Sequence, residues 1–100
     1  MESDLSWLQG WYRAQCNGTW EHGQGVKIDT LDNPGWSVEI DLKGTPLEHV
    51  PMEKVVRDNG HDDWIRLEVK EGQFLGHGDA SKLTVIIAAF HRWGGSVETS

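Results

Sequence analysis

The stretch that decides the fold runs from Val26 to Leu42 and reads VKIDTLDNPGWSVEIDL. Apolar and polar residues alternate on both sides of its centre, which is the pattern of two β-strands that each bury one face. Pro34 and Gly35 suit the two central positions of a type II turn. The stretch therefore predicts an antiparallel hairpin.

The register of this hairpin follows from the same alternation. Residues that pair across a hairpin lie on one face of the sheet, so Ile28 should oppose Val38 or Ile40. This register requires a connecting loop with an odd number of residues, and we expect the five residues 31–35 to form it. The polar face of the hairpin then carries Lys27, Asp29, Ser37, Glu39 and Asp41.

A helix is predicted before the hairpin, over residues 4–15. Ser3 or Asp4 can cap its first turn. Asn17-Gly18 ends it, because glycine accepts the left-handed conformation at that position. Its apolar stripe recurs at helical spacing and consists of Leu5, Leu8, Trp11 and Tyr12, with Trp7 beside it.

Further strands are predicted after the hairpin. They cover residues 52–57 and 64–69 and are joined by a turn at 58–61, where Asn-Gly is a strong hairpin signal. We expect Phe74-Leu75 to add a short edge strand and Gly76-His77-Gly78 to form a turn after it.

A closing helix follows this turn. Asp79 or Ser81 caps it, and it is expected to end near Trp93, before Gly94-Gly95. Its apolar face recurs at spacings of three and four residues and consists of Leu83, Ile86, Ile87, Phe90 and Trp93.

The order of helix, four to five strands and helix predicts an α+β fold. An alternating strand has one wet face, so both helices should cover the other face of a meandering antiparallel sheet in a two-layer sandwich. The 100 residues suit one domain, and we expect residues 96–100 to form a flexible tail.

Composition limits the classes of function. Nine basic and 16 acidic residues give a net charge of −7, which opposes binding to nucleic acid or an anionic membrane and favours a basic partner. The alternative is that the negative charge only keeps the protein soluble. No stretch approaches the ~20 apolar residues that span a bilayer. The N-terminus carries acids where a signal peptide carries Lys or Arg, and the single Cys16 fits a reducing compartment. We therefore expect a cytoplasmic protein.

The sequence shows no pattern that indicates catalysis, a cofactor or a metal. The histidines and Cys16 have neither CxxC nor HxxxH spacing, and there is no GxSxG elbow. Cys16 follows a helix C-terminus, where the dipole disfavours a thiolate. Acid pairs such as Asp62-Asp63 lie in turns, where solvated carboxylates are ordinary. These observations favour a protein that works by binding another protein.

The wet face of the sheet is the first candidate surface for such binding. A large aromatic residue on a polar strand face, here Trp64, can anchor an interface; the alternative is that the loop 43–51 covers it. With a turn of two or four residues at Asn59-Gly60, Trp64 would lie beside Val55 or Arg57. The candidate residues on this face are Asp29, Glu39, Asp41, Trp64 and Glu68.

The second candidate surface consists of two loops. One contains Glu21 and His22, and the other contains Asp32 and Asn33. The alternative for the first loop is that Trp20 fills the core and that Glu21 or His22 only hydrogen-bonds the connection.

Several short motifs resemble those of the immunity protein 53 family. The match is dense from Trp7 to Trp36 and returns at Phe90 and Trp93, whereas Gln24 stands where an aromatic residue would be expected. In order, the motifs are Trp7-Leu8, Trp11-Tyr12, Cys16-Asn17-Gly18, Trp20-Glu21-His22, Gly25-Val26-Lys27-Ile28 and Leu31-Asp32-Asn33-Pro34-Gly35-Trp36.

The resemblance implies a role in bacterial competition. Members of this family are encoded beside polymorphic toxins, bind the cognate toxin domain in the producing cell and block it. An acidic inhibitor would suit a nuclease with a basic active-site groove, because opposite potentials accelerate encounter. We therefore expect an immunity protein without cofactor or enzymatic activity that is a monomer when free.

Two other classes of function remain open. A small-ligand-binding or enzymatic domain would be indicated by a buried polar pocket lined by His22, His61 or His77. A structural domain that self-associates through an edge strand would be indicated by its size in solution.

Overall fold

The computed structural model describes residues 3–98, which form three helices and one five-stranded antiparallel sheet. The α+β class with a helix near each end is confirmed. No helix of the described part is long and apolar enough to cross a membrane. The elements are α1 (Asp4–Gln15), α2 (Trp20–Gly23), β1 (Val26–Leu31), β2 (Gly35–Asp41), β3 (Val55–Asp58), β4 (Trp64–Lys70), β5 (Gln73–Gly78) and α3 (Leu83–Glu98).

The predicted hairpin register is confirmed. Ile28 on β1 opposes Val38 on β2, and the ladder closes with Leu31 opposite Gly35. The loop between these paired residues has three residues, 32–34, rather than five. An odd number is kept, so the apolar residues of both strands stay on one face.

The sheet is not a single meander, because β5 lies in its centre. The strand order is β1-β2-β5-β4-β3, and Gly76 on β5 pairs with both Val38 and Leu67. The predictions of an edge strand at Phe74-Leu75 and of a turn at 76–78 were therefore wrong. Gly76 and Gly78 belong to β5, on which α3 packs closely. A Cβ at Gly76 would collide with Cγ2 of Ile86.

Helices α1 and α3 cover one face of this sheet. Phe90 of α3 joins the layers, since its ring centroid lies 5.1 Å from that of Trp11 on α1 and 5.0 Å from that of Phe74 on β5. Aromatic pairs of this kind contribute about 0.5–1.5 kcal/mol beyond their buried area. The buried apolar residues are Leu8, Trp11, Trp20, Val38, Ile40, Leu42, Leu47, Ile65, Leu67, Phe74, Ile86, Ile87 and Phe90.

Helix α3 continues beyond its predicted end near Trp93. It passes through Gly94-Gly95 and includes Glu98. A Cβ at Gly94 would lie 3.0 Å from Cη2 of Trp7, so these glycines serve close packing inside a helix rather than its termination. Residues 96–98, the first part of the tail expected at 96–100, belong to α3, and residues 99–100 lie outside the described residues.

The segment between β2 and β3 crosses the sheet on the side of the helices. The indole Nε1 of Trp20 donates to the carbonyl of Lys43 at 2.8 Å, and Nε1 of Trp93 donates to the carbonyl of Pro51 at 3.1 Å. Between these two anchors Leu47 is fully buried in the core. β3 begins at Val55, three residues later than predicted. The crossing therefore leaves the opposite face of the sheet uncovered.

Asp79 links the start of β4 to the turn between β5 and α3. Its Oδ2 accepts from the backbone N–H of Trp64 and from Nζ of Lys82, both at 2.8 Å. Its Oδ1 accepts from the backbone N–H of Ser81 at 2.8 Å and from the Ser81 hydroxyl at 2.6 Å. The Asp79 side chain is buried, and these four donors replace the water that its carboxylate has lost.

Gly76→Ala should lower the free energy of unfolding by about 1–3 kcal/mol, the usual cost of overpacking a filled core. Ile86 is fully buried and cannot move away from the added methyl group. The matched control is Gly10→Ala on exposed α1, where a Cβ meets nothing within 4 Å and helix propensity gives a gain of up to ~1 kcal/mol. Urea unfolding of both variants measures the two effects; equal effects would contradict the packing described here.

Asp79→Asn should destabilise the protein at neutral pH and much less in acid. Hydrogen bonds from Lys82 and then from Ser81 hold the pKa of Asp79 well below its ordinary value of 3.8. A carboxylate whose pKa is lower in the folded state stabilises above its unfolded pKa, and this contribution is lost as the pH falls below that value.

The stability difference between the wild type and Asp79→Asn should therefore shrink below about pH 4. Urea unfolding at pH 7, 5 and 3 measures it, with the exposed Asp62→Asn as a control that changes stability little. A difference that stays constant over this range would contradict the role given to Asp79.

Candidate functional site

The face of the sheet opposite the helices carries no helix or crossing segment in residues 3–98, and we call it the open face. Rows of side chains run across it from strand to strand; in one row, Leu75 on β5 pairs with Glu39 on β2 and with Glu68 on β4. The pairing places all five residues predicted for the wet face on this open face. They are Asp29, Glu39, Asp41, Trp64 and Glu68.

These five residues are not equally available to a partner. Both oxygens of Asp41 are occupied, one by the backbone N–H of Gly25 and one by Nε2 of Gln73, each at 2.8 Å. Glu68 lies 3.9 Å from Nζ of Lys54 and 3.9 Å from Nε of Arg66. The Asp41 carboxylate therefore stabilises this end of the sheet and is less available to a partner.

The open face is nearly neutral. Five acidic side chains on it stand against four basic ones, so it carries little of the chain's net charge of −7. The acidic residues are Asp29, Glu39, Asp41, Asp58 and Glu68, and the basic residues are Lys27, Lys54, Arg66 and Lys70.

Negative charge is concentrated where the loops 32–34, 59–63 and 79–82 meet, and we call this region the acidic end. Two concavities join these loops, one of about 260 Å³ that includes Asn33 and Asp58 and one of about 240 Å³ that includes Pro34, Asp62 and Asp79. His61 borders both of them. The aspartates in these loops are Asp32, Asp62, Asp63 and Asp79, Asp58 at the adjoining end of β3 belongs to both the open face and the acidic end, and Lys82 is their basic neighbour.

Lys82 is already neutralised by two of these aspartates. Its Nζ lies 2.8 Å from Oδ1 of Asp63 and 2.8 Å from Oδ2 of Asp79. Asp63, and then Asp79, raise the pKa of Lys82. Lys82, followed by Asn59, lowers the pKa of Asp63. Three exposed carboxylates are left without an ion pair in the described chain, namely Asp32, Asp58 and Asp62.

Trp64 lies at the boundary between the open face and the acidic end. It is half-buried, pairs with Asp58 on β3 and lines the larger of the two concavities. A place beside Val55 or Arg57 required a turn of two or four residues, and the loop 59–63 has five, so Trp64 lies opposite Asp58 instead. The alternative that the loop 43–51 covers Trp64 is not supported, since that segment packs beside Trp20, Trp93 and the core.

The second predicted surface is not continuous. Glu21 and His22 precede β1, whereas Asp32 follows it, so a strand of six residues, about 20 Å long, separates them. Trp20 is buried, as the structural alternative required. Hydrogen bonds from the backbone N–H groups of Glu21 itself, Asn17 and Gly18 lower the pKa of Glu21. Glu21 therefore stabilises the connection between α1 and β1.

The histidines considered for a polar pocket lie apart. His61 borders the acidic end, His77 lies half-buried on β5 in the open face, and His22 is exposed before β1. Among residues 3–98 no group of three His, Cys, Asp or Glu side chains could hold a metal ion. This geometry does not support the alternative of a small-ligand or enzymatic pocket.

The sequence pattern does not single out the acidic end as a site. Asp58, His61, Asp62 and Asp63 have the pattern of turn residues, and Asp79 has that of a helix cap. The available signal was three aspartates among residues 58–63 beside a strand that begins with Trp64. Their convergence with Asp32 depends on the strand order, which the sequence does not reveal.

One of three comparisons with known proteins gives a match. The family model described as immunity protein 53 matches residues 5–95, which include every strand of the sheet and the whole acidic end. No curated protein and no solved structure gives a significant match. The resemblance found in the sequence is confirmed, and the chain belongs to the immunity protein 53 family.

Proposed function

We propose that this immunity protein protects the cell that produces it by binding a cognate toxin domain and covering the toxin's active site. Binding takes place in the cytoplasm and requires no catalysis and no cofactor. The contact surface consists of the acidic end and the adjoining part of the open face. The observation that carries this proposal is Trp64, half-buried and uncovered by helices at the boundary of the two.

The size of this surface fits a protein partner. Five strands about 4.8 Å apart and up to seven residues long give the open face an area on the order of 500 Å². A typical stable interface covers about 800 Å² on each partner. The open face alone is smaller than that, which favours a contact that extends over the acidic end as well.

Charge at the acidic end determines which toxins suit this surface. Asp32, Asp58 and Asp62 are exposed and have no ion pair in the described chain. Their field extends about 8–10 Å at physiological ionic strength and attracts a basic groove. A nuclease that binds phosphate with Lys and Arg has such a groove, so the aspartates would compete with its substrate.

Trp64 supplies the apolar anchor that charge alone does not provide. Aromatic residues near the centre of an interface carry most of its binding energy, and surrounding polar contacts exclude water. Asp79 holds the backbone of Trp64 in place through Oδ2 and also accepts from Ser81 and Lys82. The anchor is therefore fixed before the toxin arrives, which limits the entropy lost on binding.

Co-expression with the toxin domain encoded next to it tests the proposed function. The protein should restore growth of cells that make the toxin, and it should co-purify with the toxin as a stable complex. Rescue of growth without a complex, or a complex that leaves the toxin active, would contradict neutralisation by direct occlusion.

Asp62→Lys should slow association with the toxin several-fold at low salt, because it reverses a charge in the steering field. The matched control is Glu53→Lys, which makes the same charge change at an exposed residue beside β3, away from the acidic end. Stopped-flow association rates measured at two salt concentrations distinguish the variants, since salt should remove the difference. Equal rates for the two variants would exclude the acidic end as the steering surface.

Trp64→Ala should raise the dissociation rate of the complex by roughly 30-fold or more, the effect of losing an anchor worth about 2 kcal/mol. The matched control is Trp93→Ala, which removes a half-buried Trp from α3 on the helix side of the sheet, where its Nε1 donates to the carbonyl of Pro51 at 3.1 Å, away from the acidic end. Surface plasmon resonance measures dissociation, and urea unfolding confirms that both variants fold. An unchanged dissociation rate for Trp64→Ala would rule out the anchor.

A further inference from the structure

Strand β1 forms an edge of the sheet and is the most exposed of its long strands. Four of its six residues are exposed, and the side chain of Ile28, which points to the helix side, is 41% exposed. On that side two apolar concavities of about 330 Å³ and 340 Å³ run beside the strand. Leu5 borders both concavities and is 62% exposed.

The backbone of β1 offers hydrogen-bonding groups on its outer side. The N–H of Asp41 donates to the carbonyl of Gly25 at 3.0 Å, and antiparallel ladders bond every second residue. Gly25, Lys27 and Asp29 therefore point their backbone groups toward β2, while Val26, Ile28 and Thr30 point theirs outward. The outward N–H of Thr30 already donates to Oδ1 of Asp29 at 2.9 Å, so the outward N–H groups left for a further strand are those of Val26 and Ile28.

The charges on β1 are self-complementary. Lys27 and Asp29 flank Ile28 and lie on the open face, and neither makes an ion pair in the described chain. If two β1 strands pair antiparallel about Ile28, Lys27 of each copy stands directly opposite Asp29 of the other. These are non-hydrogen-bonded positions, where side chains approach most closely.

We propose that β1 pairs with β1 of a second copy of this chain, antiparallel and centred on Ile28, so that the two sheets join into one. Val26 then opposes Thr30 of the second copy, Ile28 opposes Ile28, and two Lys27–Asp29 pairs form. Like charges would meet in a parallel pairing in register, which places Lys27 against Lys27. A second copy is the occupant that this edge specifies. It alone brings opposite charges, an exposed apolar residue and open backbone groups into one register.

This dimer covers neither the open face nor the acidic end, because the second copy joins the outer edge of β1 and extends the sheet sideways. The monomer expected from the sequence then holds only at concentrations below the dissociation constant of the dimer. The inference does not depend on the toxin, since the purified protein alone shows it.

Charge reversal at β1 tests this pairing. Sedimentation velocity over a concentration series should show a monomer–dimer equilibrium for the wild type. Lys27→Asp and Asp29→Lys should each raise the dissociation constant by about tenfold or more, because two attractive pairs become repulsive. The double variant with both changes restores opposite charges and should return to within about threefold of the wild type.

Ile28→Lys should abolish the dimer, and Val56→Lys is its matched control. Val56 is 58% exposed on β3, the other edge strand, so this variant should dimerise as the wild type does. Circular dichroism confirms that the variants are folded. A wild type that stays monomeric up to about 1 mM, a dimer that survives Ile28→Lys, or a double variant without recovery would each overturn the proposal.

Discussion

Helix α3 packs so closely on strand β5 that no side chain fits at Gly76, and the rest of the structure depends on this contact. It places Phe90 against Phe74 and Trp11, so the aromatic core forms on one side of the sheet. The segment between β2 and β3 packs into the same core through Leu47. The opposite face is left uncovered, and Asp79, at the junction of β5 and α3, fixes Trp64 at the end of that face.

The same contact explains which parts of the fold could be predicted. The alternation of Val26–Leu42 determines the hairpin and its register, because a one-residue slip would turn every apolar side chain outward. The glycines at 76, 78, 94 and 95 lie inside a strand and a helix, although local rules assign glycine to turns and helix ends. Here Gly76 and Gly94 permit close packing between elements distant in sequence, and only the tertiary structure reveals that requirement.

The candidate site, like the fold, could be predicted only where it depends on the alternation within single strands. Period-two alternation placed Asp29, Glu39, Asp41, Trp64 and Glu68 on one face without knowledge of the strand order. It could not show that Asp41 is engaged with Gly25 and Gln73. Nor could it show that the turns at 32–34 and 59–63 meet at one end, because this follows from β5 inserting between β2 and β4.

We propose that the acidic end and the adjoining open face form the surface that meets the toxin. Hydrogen–deuterium exchange of the protein, alone and bound to its toxin domain, tests this claim most directly. We predict that binding slows exchange at residues 58–64 and leaves α1 and the exposed side of α3 unchanged. Slower exchange over the helices, with no change at residues 58–64, would contradict the account.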